Sequence, residues 1–337
     1  MQSRTVPRPR GRGSACLRDR ATHAALAPPA RRWVFLVNLP IGLVTAVLAA
    51  RVLRESRDPE GKRFPDLAGA ALFVIASSAL MLAIVQGQSW GWTSVRVLGL
   101  LVGSAVLTAA FLYRSVSHGA PVLELGLFRS RAFSSANIAS TLFFAAFGAM
   151  LLSNVLFLTG VWHEDILTAG LQISPGPLMA AAFAVPGTIL AARYGQRTIA
   201  ALGALLFASG GVWWLTHVGL EPNYATEVLP GMLLGGAGVG FVIPTLASAV
   251  AASLPPARFA TGSAIYGMTR QFGIALGVAV LIAVLGTPRG AEILGSFRAG
   301  WEVMAGLAFA SAIAAAAIGR LRAAPVQARP IELEQAV

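Results

Sequence analysis

Residues 133–158 read FSSANIASTLFFAAFGAMLLSNVLFL and contain no Asp, Glu, Lys or Arg. A helix that crosses the hydrocarbon core of a bilayer needs about 20 predominantly apolar residues. Because lipid offers no hydrogen bonds, the backbone of such a segment must bond to itself, as a helix does. This stretch therefore predicts a transmembrane helix.

Eight other runs of the chain are also long and predominantly apolar. The chain has 56% hydrophobic and 12% charged residues and a mean hydropathy of +0.70. Its share of charged residues is about half that of a soluble domain. The sequence predicts an all-α integral membrane protein of about nine transmembrane helices, joined by connections too short for a soluble domain. Besides 133–158, the predicted spans lie near 33–53, 66–86, 96–114, 171–192, 198–217, 228–252, 261–285 and 300–320.

The composition also weighs against several functions. A net charge of +12 is compatible with nucleic-acid binding, but the arginines lie in short clusters between apolar runs and form no basic stripe. Cys16 is the only cysteine, which excludes an internal disulfide, and the four histidines lie far apart in the sequence. We expect the lipid bilayer as partner, and neither nucleic acid, a metal nor a cofactor.

Positive charge alternates between the connections. One set carries 14 Lys and Arg residues and the other carries 3. Because basic loops stay in the cytoplasm, the first set and the C-terminus are predicted to be cytoplasmic, in a multi-pass protein of the cell membrane. The basic set is 51–65, 114–132, 193–197, 254–260 and 320–337, and the other set is 87–96, 158–170, 218–227 and 286–299.

The segment 1–32 conflicts with this topology. It holds eight arginines and lacks the apolar core of a signal peptide. Nine spans with a cytoplasmic C-terminus would place this basic tail outside, against the charge rule. We therefore expect a disordered tail that is not native membrane sequence, and a chain truncated at its N-terminus.

The sequence RWVFLVNLPIG at 32–42 carries a family resemblance. It resembles the W-R-W-x-F-x-x-N-x-P-x-G signature of the fourteen-helix drug:proton antiporter family of the major facilitator superfamily, where it opens the sixth helix. The string PVLELGLF at 121–128 resembles the linker of that family, and the resemblance covers about 33–322. It implies that the family's first five helices are absent. It also implies four parts of the chain after residue 32. These are the last helix of the N-terminal half at 33–53, a cytoplasmic loop with two inserted helices and the linker at 54–132, the six-helix C-terminal half at 133–322, and a cytoplasmic tail at 323–337.

Residues 188–197, TILAARYGQR, resemble the G-x-L-A-D-R-x-G-R-R loop of the superfamily. Arg193, Gly195 and Arg197 match this pattern, whereas Ala192 stands where the family has Asp. A cytoplasmic gate latch and a simple basic turn between two helices both remain open.

Residues 269–279, TRQFGIALGVA, resemble the R-Q-x-G-x-x-x-G-x-A pattern of the family. Arg270 is the only basic residue well inside a predicted span. It is predicted either to serve the transport path or to extend to the cytoplasmic surface. Small residues at such spacing favour close helix packing, which we expect at Gly273, Gly277, Gly235, Gly236 and Gly240.

Asn154 lies in the middle of the predicted span 133–158, on one helical face with Phe147 and Met150. An amide in hydrocarbon needs a partner, so it either bonds to a neighbouring helix or lines a cavity. The resemblance implies a substrate cavity, for which the candidates are Phe147, Met150, Asn154, Met179, Phe241, Tyr266 and Arg270.

The resemblance implies export of amphipathic drugs or antibiotics, driven in the intact parent by the proton gradient and without enzymatic activity. No Asp or Glu lies deep in a predicted span, and Asp66, Glu124 and Glu302 lie near span ends. We therefore expect this chain to be an incomplete fragment, inactive alone. Two alternatives stay open: a non-transporting membrane scaffold or decayed gene product, and a membrane enzyme or metal site built on His163, Glu164 and Asp165.

Overall fold

The computed structural model describes residue 36 and residues 38–52, 66–119, 121–255, 258–287, 290 and 292–319. The chain divides into two units, Met1–Arg63 and Phe64–Val337. In the first unit the described residues form helix α1, Asn38–Val52, which lies within the predicted span 33–53. The predicted tails 1–32 and 323–337 and the loop 54–65 lie outside the described residues.

The described part of the second unit consists of helices, two short helical turns and connections. Two helices precede the long α4, and six follow it. The α-helices are α2 Leu67–Trp90, α3 Val95–Ser117, α4 Arg131–Gly160, α5 Ile166–Ile173, α6 Pro175–Tyr194, α7 Gln196–His217, α8 Leu229–Ala252, α9 Phe259–Leu285 and α10 Glu292–Ala316.

Eight segments among the described residues are long and apolar enough to cross a membrane, α5 and α6 counting together as one. Helix α1 is apolar but only 15 residues long. The prediction of an all-α membrane protein with about nine helices is confirmed.

The predicted span 171–192 divides into two helices at Ser174. Asp165 begins α5 by accepting hydrogen bonds from the N–H groups of Leu167 and Thr168, at 3.0 and 3.3 Å. The hydrogen bond from the Thr168 hydroxyl, together with these, holds the pKa of Asp165 below its usual value. Helix α6 then starts at Pro175, a residue that suits the first helical position because its missing N–H would have no partner there.

The last helix begins earlier than predicted, at Glu292 rather than near residue 300. Arg298 falls in the predicted loop 286–299 and Glu302 near the start of the predicted span 300–320, but both side chains are exposed, one turn apart on the same face of the helix. Phe297 and Trp301, about a quarter-turn around the helix from them, are buried. The helix therefore accommodates the charged residues by its amphipathic pattern.

Glycines let the helices approach until backbone meets backbone. A Cβ atom on Gly273 of α9 would lie 2.6 Å from the carbonyl oxygen of Thr141 in α4, and a Cβ atom on Gly277 would meet the carbonyl of Ala145. Gly240 of α8 has the same relation to the Ala180 carbonyl of α6, at 2.6 Å. The predicted small-residue packing surfaces thus lie at contacts between α9 and α4 and between α8 and α6.

One end of the bundle carries a group of tryptophans, the residue that favours the membrane–water interface. Their indole N–H groups donate to neighbouring segments: Trp162 to the Gly219 carbonyl at 3.1 Å, Trp214 to the Val228 carbonyl at 3.0 Å, and Trp301 to Ser153 Oγ at 2.9 Å. Glu227 also accepts from the Gly219 N–H at 2.7 Å. The connections at this end are therefore tied to each other and to the helices.

Ion pairs join the segments at the other end. Asp66 caps α2 and pairs with Arg114 of α3 at 2.7 Å, and Glu124 pairs with Arg258. Burial raises the pKa of Asp66, but the Gly69 N–H and the Arg114 guanidinium outweigh this effect, so that the net pKa is lowered. The carboxylate is accordingly held in its charged form.

The contact between α4 and α9 gives a test of glycine packing. In an open helical site, Gly→Ala stabilises by about 0.4–1 kcal/mol, whereas overpacking costs about 1–3 kcal/mol. Gly277→Ala should therefore lower the apparent Tm of the purified chain in detergent. Gly267→Ala in the same helix, where a Cβ meets nothing within 4 Å, should keep or raise it. Equal shifts in the same direction would contradict the packing described above.

Candidate functional site

The candidate site is an apolar cavity of about 240 Å³ between α4, the α5–α6 junction and α8. No charged residue in the described part of the chain lines it. The lining residues are Phe147, Met150, Leu151, Ile173, Gly176, Pro177, Ala180, Met232, Gly236 and Val239.

The shape of the cavity follows from uneven packing around α8. On one side α8 approaches α6 closely, because Gly236 carries no side chain to meet the Gly176 carbonyl. On the other side the large side chains of Phe147 and Met150 stand between α4 and α8. A cavity remains where the close contact and the wide contact meet, and it offers shape and apolar surface to a ligand.

Asn154 lies one turn beyond Met150 on α4 and is buried. Its Nδ2 donates to Met232 Sδ of α8 at 3.4 Å. The amide also lines a separate small void of about 10 Å³ with Phe157 and Trp214. The structure thus places Asn154 beside the cavity, in contact with a residue that lines it.

Met179 and Phe241 lie in the contact between α6 and α8. The Met179 Cβ faces Gly236, which carries no side chain to oppose it. The Phe241 ring meets Phe183 edge to face, with centroids 5.3 Å apart. Neither residue is among those that line the cavity.

Arg270 and Tyr266 lie one turn apart on α9. The Arg270 Cζ is 5.4 Å from the ring centroid of Phe144, a cation–π geometry, and its side chain is exposed. The Tyr266 hydroxyl is buried and makes no hydrogen bond of good geometry with described residues. Both residues lie beside the cavity-bearing helix α4 rather than in the lining itself.

The predicted gate residues form a separate feature at the turn between α6 and α7. Arg193, Gly195 and Arg197 are all exposed. Gly195 adopts φ +93°, a left-handed conformation that glycine tolerates, and ends α6. Arg193 lies over the ring of the adjacent Tyr194, at 5.4 Å. The turn is about 20 Å along α6 from Ala180 of the cavity.

The predicted packing glycines take different positions. Gly236 both packs against α6 and lines the cavity, while Gly240, Gly273 and Gly277 serve helix contacts alone. A Cβ on Gly235 would lie 3.9 Å from Met150 Sδ, an ordinary contact.

In the tripeptide His163-Glu164-Asp165, the two carboxylates make local hydrogen bonds. Asp165 caps α5, and Glu164 accepts a hydrogen bond from Gln172 at 3.2 Å. Among the described residues, no group of three or more His, Cys, Asp or Glu side chains could hold a metal ion.

Sequence reasoning missed the cavity residues contributed by the α5–α6 junction and by α8. Ile173, Gly176, Pro177 and Ala180 are small or apolar and carry no chemical signal. The spacing of four between Gly176 and Ala180, repeated between Gly236 and Gly240, was the available indication that α6 and α8 pack in register.

Comparisons with known proteins agree on one family. The Major Facilitator Superfamily description matches residues 138–336. The chain is 33% identical over 259 residues to the "Multidrug resistance protein Stp" of Mycobacterium tuberculosis, covering 75% of this chain and 47% of that protein.

A second relative is the "Probable actinorhodin transporter" of Streptomyces coelicolor, which is 29% identical over 74% of this chain and 44% of that protein. A third is the "Methylenomycin A resistance protein" of Bacillus subtilis, which is 28% identical over 82% of this chain and 56% of that protein. The chain thus spans about half the length of the curated relatives it matches.

Filling the cavity should weaken the binding of a small apolar compound. Ala180→Phe places a ring in a space of about 240 Å³, so the affinity for dansylglycine methyl ester should fall at least about tenfold, the loss of roughly 1.4 kcal/mol. Energy transfer from tryptophan to the dansyl group measures binding in nanodiscs. Ala182→Phe, at an exposed position of the same helix, should bind as the unaltered chain does. Equal affinities for the two variants would show that the ester binds elsewhere.

Proposed function

Because the chain belongs to the Major Facilitator Superfamily, we propose that it forms one wall of an exporter that moves small amphipathic compounds across the cell membrane in exchange for protons. The single observation that carries this proposal is the apolar cavity between α4, α5–α6 and α8. Pockets for small molecules are concave and mostly apolar, and flexible methionine side chains such as Met150 and Met232 can adapt to varied ligands.

The names of the relatives support the substrate class. They include a multidrug resistance protein, a probable actinorhodin transporter and a methylenomycin A resistance protein. We propose drugs or antibiotics as the compounds exported here. One of these relatives is named as a probable transporter, which supports a transport role without catalysis.

Export by this superfamily depends on two helical bundles that move against each other around a central site. We propose that the six spans from α4 to α10 form one such bundle, and the family match over residues 138–336 supports this division. We propose that the facing bundle comes from a second set of spans, in a longer form of the chain or in another membrane protein, and that the 337-residue chain alone does not transport.

Proton coupling requires a titratable acid in the transport path. In the described spans the carboxylate farthest into a helix is Glu302, next to Trp301. Glu302 is ten residues into α10, but its side chain is exposed and is not among those that line the cavity. We propose that the coupling acid belongs to the facing bundle.

Reconstitution tests the export proposal. Proteoliposomes that contain the 337-residue chain should bind dansylglycine methyl ester, yet build no ester gradient when a pH gradient is imposed. A chimera that joins the chain to the unmatched part of the tuberculosis relative should build one and lose it with a protonophore. Gradient formation by the chain alone would refute the need for a second bundle. A chimera that reaches the membrane and binds the ester without moving it would refute export.

From the asymmetry in basic residues between the connections, we also propose which end of the bundle faces the cytoplasm. The ion pairs Asp66–Arg114 and Glu124–Arg258 lie at the basic end, so this end and the C-terminus should be cytoplasmic. After Cys16 is replaced by serine, a cysteine at exposed Glu221 should react with a membrane-impermeant maleimide in intact cells. A cysteine at exposed Gly126 should react only after permeabilisation. Labelling of both in intact cells would contradict this topology.

A further inference from the structure

Arg270 is the charged side chain that the fold places deepest among the described spans. It lies 11 residues into α9, which begins at Phe259, or about 16 Å along the helix. Its neighbour Phe144 is 13 residues into α4. Positions near the middle of two adjacent membrane helices are costly for an arginine, and such residues usually mark a substrate or ion pathway.

The guanidinium contacts the neighbouring helix α4. The Arg270 Cζ lies 5.4 Å from the ring centroid of Phe144, a buried residue. A Cβ on Gly273, about one turn further along α9, would lie 3.1 Å from the Phe144 Cβ, so that α4 and α9 are closely packed at this level. The positive charge is therefore held beside the middle of α4.

The face around Arg270 suits water or a polar ligand better than lipid. Ser263 and Gln271 are exposed near it, and a Cβ on Gly267 would meet no atom within 4 Å. By contrast, the uncovered face of α3 presents large aliphatic side chains such as Val102 and Val106, 63% and 62% exposed. Among the described residues the ion pairs are Asp66–Arg114 and Glu124–Arg258, so the positive charge of Arg270 is available to an anion.

The arginine lies on the same face of α4 as the cavity. Phe144, Phe147 and Leu151 follow at spacings of three and four, which places them in one row along the helix. Arg270 covers the first ring, and the other two residues line the cavity. The ring centroids of Phe144 and Phe147 are 6.3 Å apart. The guanidinium is therefore no more than about 12 Å from the Phe147 ring, within the length of a drug-sized molecule.

We propose that Arg270 is the anion subsite of this cavity, and that the compounds bound are amphipathic acids rather than lipophilic cations. The apolar body of the ligand occupies the cavity at Phe147 and Met150. Its carboxylate or similar anionic group pairs with the exposed Arg270 guanidinium. The inference rests on the proposed export function and specifies its substrate class.

A matched probe series tests the charge preference. Dansylglycine, its methyl ester and dansylcadaverine share an aromatic body and carry a negative, a neutral and a positive group. Binding is measured by tryptophan-to-dansyl energy transfer with the full 337-residue chain in nanodiscs of zwitterionic lipid. An anion bound by a charge-assisted hydrogen bond should bind about tenfold tighter than the ester, and the cation should bind weakest.

Arg270→Gln should remove the preference for the acid and leave the affinity for the ester unchanged. Arg270→Lys, which keeps the charge, should retain part of the preference. Arg298→Gln, which removes an exposed arginine near the tryptophan end of α10, is the matched control and should change nothing. Retention of the ester affinity also shows that each variant is folded.

The outcomes separate this inference from the proposed function. Equal binding of acid and ester by the unaltered chain, or an acid preference that survives Arg270→Gln, overturns the anion subsite while the cavity remains a ligand site. If Arg270 instead pairs with a carboxylate of another segment, the acid and ester affinities stay equal. Failure of all three probes to bind contradicts the small-molecule cavity itself, and with it both proposals.

Discussion

The close approach of helix backbones is the constraint on which the remaining structure depends. In a bilayer, lipid tails surround the helices with surface as apolar as their own, so helix association depends on tight packing and interhelical hydrogen bonds. Glycine permits this at Gly273 and Gly277 against α4 and at Gly236 and Gly240 against α6. Each of these contacts fixes the register of two helices to within a turn, because a shift would drive a side chain into a carbonyl group. The cavity exists because the same tight approach does not continue between α8 and α4.

Polar side chains show a similar division of roles. At the ends of the bundle, Asp66, Glu124, Asp165 and Glu227 each accept from a defined partner within the described part of the chain. These carboxylates cap helices or tie connections together, where water is near and the cost of charge is low. Arg270 differs from them, because it combines central depth with a contact to an aromatic ring and no carboxylate among the described residues. This combination is the basis of the proposed anion subsite.

The sequence predicted the helices well because the physical signal is local. Runs of about 20 apolar residues must be helical in lipid whatever their neighbours are, and glycine spacing indicated α9 as a packing helix. Helix ends were harder, as the early start of α10 shows, since charges such as Arg298 resemble a loop unless their burial is known. The cavity could be predicted only in part. Phe147 and Met150 came from one helical face, but Gly176 and Ala180 become lining residues through the tertiary register of α6 on α8. For the same reason Phe241, an equally plausible candidate by type, lies in a helix contact.

An apolar cavity and a single cation contribute differently to selectivity. Burial of apolar area stabilises almost any hydrophobic body by about 25 cal/mol per Å², so the lining from Phe147 to Val239 gives affinity with little discrimination. A charge in a medium of low dielectric constant acts in the opposite way, because it favours one sign of ligand and penalises the other. Under the proposed anion subsite, one arginine near such a cavity would set the charge class of the ligands while their shape remains free. This combination suits an exporter that handles many compounds of one chemical class, and it requires no further polar residue in the cavity wall itself.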